Sequence, residues 1–316
     1  MKLFLLKRLA TLVATLFGAS VVVFLVLEIL PGDAAQMMMG PDAAPEAVAA
    51  LRAKLGLDRA PLERYAAWLV GMLTGELGTS HAYGTPVAGL IVERLALTVP
   101  LALMAMSMTV VLALSAGVYA ASRHHRLGDV GVMGLTQVGI AIPNFWFAIL
   151  LILLFAVNLR WFAAGGFPGW AEGAGPALKA LVLPAVSLAV VQSAILARIT
   201  RSAVLDVLRE DFVRTARAKG LSRRAALWGH VLRNALVPVI TVMGLQFATL
   251  LAGTIVVESV FYLPGLGRLI FQSISNRDLI VVRNCVMLLA AMVVVVNFVV
   301  DVLYAVIDPR LAPSDA

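Results

Sequence analysis

Six stretches of this chain are too long and too apolar to serve as core elements of a water-soluble domain: residues 9–30, 97–121, 130–159, 178–199, 236–257 and 285–307. Crossing the hydrocarbon core of a bilayer takes ~20 apolar residues in helical form. No water is available there to satisfy backbone N–H and C=O groups, so such runs must close their hydrogen bonds internally, as helices do. The sequence therefore predicts an all-α, polytopic membrane protein with six transmembrane helices. Composition agrees, with 61% hydrophobic and only 14% charged residues, against about a quarter charged in a soluble domain. Pro143, Pro184 and Pro238 fall inside three of the stretches. Kinks are expected at each, because proline removes a helical hydrogen bond.

Lys2, Lys7 and Arg8 precede the first stretch as they would in a signal peptide. That stretch exceeds a typical signal core, and no small-residue cleavage site follows promptly, so an uncleaved first helix is expected.

The formal net charge is +7, but its placement argues against a nucleic-acid partner. No basic surface studded with aromatic residues accompanies the Lys and Arg residues, which sit beside the apolar runs. Beyond the N-terminal trio, Arg123 and Arg126 lie in the second loop. Arg201, Arg209, Arg214, Arg217, Lys219, Arg223, Arg224 and Arg233 follow between the fourth and fifth stretches, and Arg198 and Arg201 mark the end of the fourth. With six spans, all these regions and the C-terminus fall on one side. The positive-inside rule makes that side cytoplasmic, with both termini there.

The first 96 residues comprise the first span and a segment, 31–96, on the opposite side. Within it, 45–55 and 61–73 read as short helices, each opened by proline. Leu62, Tyr65, Trp68 and Leu69 form an apolar stripe on the second. These helices either cap the spans or lie at the membrane interface, or they present a docking surface to an external partner.

The remainder, 97–316, contains the most informative loop, 201–236. Residues 211–219 are helix-compatible, Gly220 supplies a left-handed terminator, and Ser222 can cap a second helix over 223–234. Ala225, Trp228 and Leu232 share one face of that second helix. Such a basic hairpin is either a solvated loop that fixes topology or a docking element. Ala216, Ala218 and Gly220 would let another protein approach closely, and the surrounding arginines would reach its carboxylates or carbonyls.

Within the spans, Gln137, Asn144, Gln192, Gln246 and Asn297 are candidates to line a polar pathway. Hydrogen bonding between helices is the alternative for each. For Glu258 and Asp301, near span ends, snorkelling or interhelix pairing is expected. Cys285 stands alone, so no intrachain disulfide can form. His81, His124, His125 and His230 lack the further ligands a metal site needs. The chain has no GxxxxGK[ST] phosphate loop and no nucleophile–base pattern, so it is not expected to be an enzyme or to hold a cofactor.

The loop carries a family resemblance. RTARAKG at 214–220, followed by HVLRNA at 230–235 and then Pro238, resembles the coupling motif of ABC importer permeases. The dipeptide/oligopeptide/nickel branch is the nearer likeness. It extends through LPGD at 30–33, KLGLDRAPLERY at 54–65, GELGTS at 75–80 and IPNFWFAILL at 142–151. MGLQFATLLAGTIVVESVF at 243–261, PGLGR at 264–268 and VDVLYAVIDPR at 300–310 continue it. The broad importer motif begins Glu-Ala-Ala and ends Ile-x-Leu-Pro. Here Arg214 and Thr215 take the first two places and His230 the isoleucine's, as in that branch, so the broad family's Glu contacts do not transfer.

The resemblance implies a type I importer permease fold with cytoplasmic coupling helices in a bacterial inner membrane. It implies that Arg214, Thr215, Ala216, Arg217, Ala218, Lys219, Gly220, Arg223, Arg224 and His230 engage separate ATPase subunits, one or two, which bind ATP and Mg. A second homologous permease, an extracytoplasmic solute-binding protein and membrane lipid complete the implied partners. Dipeptides or oligopeptides are the implied cargo, with glutathione or a nickel chelate as alternatives. An ion-coupled secondary transporter, from a different class, would need a buried carboxylate relay, and the central spans lack acids.

Overall fold

The computed structural model describes residues 2–29, 34–40, 43–54 and 56–307, and among them the one β feature is an isolated bridge between Thr79 and Pro86. The long apolar helix α1 (Lys2–Ile29) is followed by three short ones, α2 (Ala34–Met39), α3 (Pro45–Lys54) and α4 (Pro61–Thr74). Proline opens α3 and α4, where its missing N–H leaves nothing unsatisfied. The two short helices read from the sequence are both present.

Helix α5 (Val87–Ser122) starts ten residues before the expected 97. Glu93 and Arg94 interrupt the hydropathy there and hide the extra turns. Packing supports them: Val87 and Ile91 are buried with Leu266, Leu269 and Ile270. Residues 87–96, expected in the loop before the second span, are therefore helical.

The third expected span is broken. Helices α6 (Leu127–Ala141) and α7 (Asn144–Leu151), the latter prolonged by a π-helical stretch Ile152–Asn158, meet at 102°. Pro143 is the cause, because it disfavours helical geometry in the residue before it. Ile142 is accordingly extended, at φ −86° and ψ 122°. Pro184 and Pro238, by contrast, sit inside continuous helices.

Beyond the break come α8 (Ala174–Leu208), α9 (Asp211–Ala218) and α10 (Arg223–Ala226). A π-helical turn, Leu227–Val231, joins α10 to α11 (Leu232–Val260). The last two are α12 (Leu266–Ser275) and α13 (Leu279–Ile307). Among the described residues, five helices are long and apolar enough to cross a membrane, and six crossings result if the bent pair counts as one.

Helix α8 is the hub and α1 the periphery: 61% of the most apolar window of α8 is buried within the chain, against 11% for α1. Leu181 and Leu188 of α8 pack with Leu101 and Ala105 of α5 and with Leu250 and Leu251 of α11. α1 lies antiparallel against α13, tied at the basic end by an Arg8–Asp301 ion pair of 2.8 Å.

At the opposite end, the α11–α12 turn closes over a buried carboxylate. Glu258 accepts hydrogen bonds from the Gly267 N–H (2.7 Å), the Arg268 N–H (3.2 Å) and the Thr98 hydroxyl (2.6 Å). The N–H groups at the start of α12, which have no partner within the helix, are thereby satisfied. Of the alternatives set out for Glu258, pairing holds rather than snorkelling, with backbone amides as the principal partners.

Candidate functional site

Helix α8 runs past its apolar stretch to Leu208, and the chain turns at Arg209 and Glu210 into α9. Asp211 in the first turn of α9 and Arg217 in its last match the helix dipole. Val213 is the buried anchor of α9. It joins a cluster with Val118 of α5, Leu196 and Val204 of α8, and Val231 and Ala235 beyond the elbow. Arg214, Thr215, Arg217, Ala218 and Lys219 are exposed and Ala216 is half-buried. One apolar residue thus seats α9 on the ends of the three central helices while its basic face stays open.

The break after α9 follows the sequence reading. Gly220 has φ +97°, a left-handed conformation that side chains other than glycine's rarely adopt. Its N–H donates to Arg217 O at 3.0 Å, and the Leu221 N–H reaches back to Ala216 O at 3.3 Å. Ser222 Oγ then accepts from the Ala225 N–H at 3.2 Å, capping α10.

One detail corrects the sequence reading. The second helix is no separate element over 223–234, because the chain stays helical from Arg223 to Val260. Of the face shared by Ala225, Trp228 and Leu232, the first two residues are exposed and Leu232 is half-buried. The buried row is Leu227, Val231, Ala235 and Val239, with Ala226 beside it.

Phe212, Thr215, Ala216, Lys219, Leu221 and His230 line a groove of about 390 Å³ between α9 and the π-helical turn. Phe212 and Leu221 give it exposed apolar edges. Arg214, Arg217, Arg223 and Arg224 belong to the same elbow and are all exposed. Arg214 pairs with Asp211 at 3.1 Å in solvent, a contact worth little, and so stays available to another partner. The groove holds no nucleophile and base in contact. Its lining thus combines the small residue Ala216 with apolar edges and one lysine, and exposed guanidinium groups on the same elbow are suited to carboxylates or helix C-termini.

A polar cluster that the sequence reading missed lies beside this elbow. Arg201 of α8 donates to Asp129 of α6 through Nε at 2.6 Å and Nη2 at 2.7 Å. The same carboxylate accepts from the His125 N–H at 3.0 Å, with His124 Nδ1 at 3.3 Å. Arg201 is therefore a structural tie as well as a charge at a helix end. An acid in the first turn of α6 and an arginine on a helix packed against it were the available signals. The guanidinium occupies the place a cation would take beside the His124–His125 pair. No group of three or more His, Cys, Asp or Glu among the described residues could hold a metal ion.

The five candidate pathway residues divide. Gln192 and Gln246 are brought together, with Gln246 Nε2 donating to Gln192 O at 3.0 Å and Gln192 Nε2 to Gln246 O at 3.5 Å. Asn144 opens α7 beside the 102° break, and its Oδ1, like Gln246 Oε1, is buried without a hydrogen-bond partner; Gln246 is otherwise held by its bonds to Gln192, whereas Asn144 adjoins the break. Gln137 is exposed on α6 and Asn297 half-buried on α13.

Comparison with known proteins bears on both halves of the chain. Residues 113–313 match the binding-protein-dependent transport system inner membrane component, and residues 1–102 match the N-terminal part of such membrane components. A Brucella suis biovar 1 protein named for a peptide transport system permease is 41% identical over 306 residues, 97% of this chain and 98% of that one. The di/tripeptide transport system permease protein DppB of Pseudomonas aeruginosa is 39% identical, covering 98% of each chain. The glutathione transport system permease protein GsiC of Escherichia coli O6:H1 is 40% identical, also over 98% of each.

Proposed function

The chain belongs to the binding-protein-dependent transport system inner membrane component family, and on that premise we propose that it is the peptide-translocating permease subunit of an ATP-driven importer. The elbow carries this reading. A basic, small-residue groove fixed through Val213 to the ends of α5, α8 and α11 is a lever attached to the three helices that form the core. A motor gripping α9 would move those ends together, and two discrete packings of the helices would then be populated according to nucleotide state.

In this reading the motor is one or two separate ATPase subunits, which bind ATP and Mg. The elbow faces the cytoplasm, as the clustered arginines favour, and so do both termini. A second, homologous permease completes the pathway around residues 97–316, and an extracytoplasmic binding protein delivers cargo to the opposite end. Asn144, with its unsatisfied Oδ1 at the α6–α7 break, is the polar residue assigned to the pathway. Gln192 and Gln246 serve the contact between α8 and α11.

The near-equal identity to the glutathione relative, itself named for a tripeptide, supports a second reading in which glutathione is the cargo. Proteoliposomes holding the purified complex test both. ATP-dependent uptake of a labelled dipeptide, weakly competed by glutathione, supports the first reading, and the reverse preference supports the second. Uptake by the chain without any ATPase would refute the importer assignment itself.

A further inference from the structure

Helix α4 belongs to the segment that a six-span topology places outside the membrane, yet its contacts put it beside buried parts of two spans. Arg64 pairs with Glu28, next to the end of α1 at Ile29. One turn further on, Trp68 packs on Phe24 with ring centroids 6.3 Å apart and donates Nε1–H to Asn284 Oδ1 at 2.9 Å. Phe24 lies five residues before Ile29, and Asn284 five residues after the start of α13 at Leu279. At 1.5 Å rise per residue, both gauges place Trp68 about 7–8 Å below the ends of those spans. The Tyr65 hydroxyl reaches deeper still, lying 2.8 Å from Ser20 Oγ.

The outward half of α4 is divided lengthwise. Tyr65, Trp68 and Met72 face α1 and α13. On the other side, Leu62, Ala66, Val70 and Leu73 recur at helical spacing and are exposed. Leu62, Val70 and Leu73 are 77%, 60% and 89% exposed. Glu63 and Thr74 lie on the neighbouring stripe, also exposed. A helix capping the spans in water would have no reason to present three large apolar side chains beside its polar stripe. A helix lying in the interface, with its apolar face sunk about 5–10 Å into the headgroup and acyl boundary, has this three-way division. At the same depth, the face of α1 turned away from α4 also exposes large apolar side chains, Val22, Val26 and Ile29.

We propose that α4 is a monotopic helix seated in the lipid leaflet at the end of the bundle opposite the elbow, with Leu62, Ala66, Val70 and Leu73 against acyl chains. The segment 31–96 is then partly a membrane element, and α4 fixes the peripheral α1 to α13 at the depth of the acyl boundary. This holds whichever cargo the chain carries and whichever way it is oriented.

The single cysteine, Cys285, is buried, so a Cys285→Ala background permits single-site spin labelling of the full chain in phosphatidylcholine/phosphatidylglycerol nanodiscs. Labels at Leu62→Cys, Val70→Cys and Leu73→Cys should collide several-fold more often with oxygen than with a water-soluble nickel chelate. Labels at Glu63→Cys and Thr74→Cys should reverse that ratio. Preference for the chelate at all five sites would overturn the proposal in favour of an aqueous cap. Protection of the apolar sites from both collision partners would overturn it in favour of a covering protein.

Discussion

The Thr98 hydroxyl donates to Glu258 at 2.6 Å while its oxygen accepts the Leu266 N–H at 2.8 Å, so one side chain on α5 joins the end of α11 to the start of α12. The carboxylate it holds also takes the amides of Gly267 and Arg268. The PGLGR glycines make room for it: a Cβ on Gly265 would overlap the Glu258 carboxyl, and one on Gly267 would overlap the backbone of Ile255.

Replacing Glu258 by alanine strips buried donors of their acceptor. At about 1–3 kcal/mol for each unsatisfied group, the loss should reach at least about 3 kcal/mol. Glu258→Gln, which keeps an acceptor oxygen, should lose less. Gly267→Ala should also destabilise, whereas Gly175→Ala, with open space around it, should not. Thermal unfolding of the detergent-solubilised chain measures all four, and equal stability of Glu258→Ala and the parent would contradict the capping role.

The Asp129–Arg201 tie joins α6 to α8 beside the elbow. Asp129 is 5% exposed and Arg201 23%. Asp129→Asn should therefore cost on the order of 3 kcal/mol by leaving a half-buried guanidinium without its anion. Adding Arg201→Met should recover part of that loss. A double-mutant cycle reads the coupling, and strictly additive losses would mean that the pair contributes nothing.

Gln192→Leu and Gln246→Leu distinguish a structural pair from a pathway pair. Hydrogen bonds between membrane helices average about 0.6 kcal/mol, so each substitution should lower stability slightly and leave transport selectivity unchanged. A changed cargo preference in either variant would move the pair into the pathway.

At Gly220, φ is +97°. A β-branched side chain there costs about 1–2 kcal/mol, which shifts the equilibrium between the native elbow and relaxed alternatives roughly tenfold toward the latter. Gly220→Val should insert normally, because Val213 still anchors α9, yet should lose most ATP-driven uptake. Gly220→Asn should be milder, since asparagine tolerates the left-handed region better. Uptake at the parent rate in Gly220→Val would remove the elbow's geometry from the mechanism.

Much of this architecture is legible in the sequence because hydropathy and charge act locally. The apolar runs, the proline-opened α3 and α4, and the Gly220–Ser222 break each depend on a few consecutive residues. Where the reading failed, the deciding contact was distant or the backbone irregular. Val87–Ala96 is helical because Val87 and Ile91 meet α12, which no local pattern shows through Glu93 and Arg94. Beyond the elbow, the local pattern groups Ala225, Trp228 and Leu232 on one face but does not say which face packs; contacts with Val118, Leu196 and Val204 on other helices bury Leu227, Val231, Ala235 and Val239 instead. Pro143 was visible, but a bend of 102° exceeds the kink expected of a proline within a span. Arg201, the main partner of Asp129, and Thr98, a partner of Glu258, come from other helices, and sequence spacing alone does not pair them.

Docking of an ATP-hydrolysing subunit in the groove beside α9 is tested by placing a photoreactive amino acid in turn at Phe212, Leu221 and Trp228, and as a control at Tyr262 at the far end of the bundle, in the assembled transporter. A covalent adduct with the ATPase subunit, altered by ATP, is expected from the elbow positions and none from Tyr262. An active transporter in which no elbow position captures that subunit would contradict the docking.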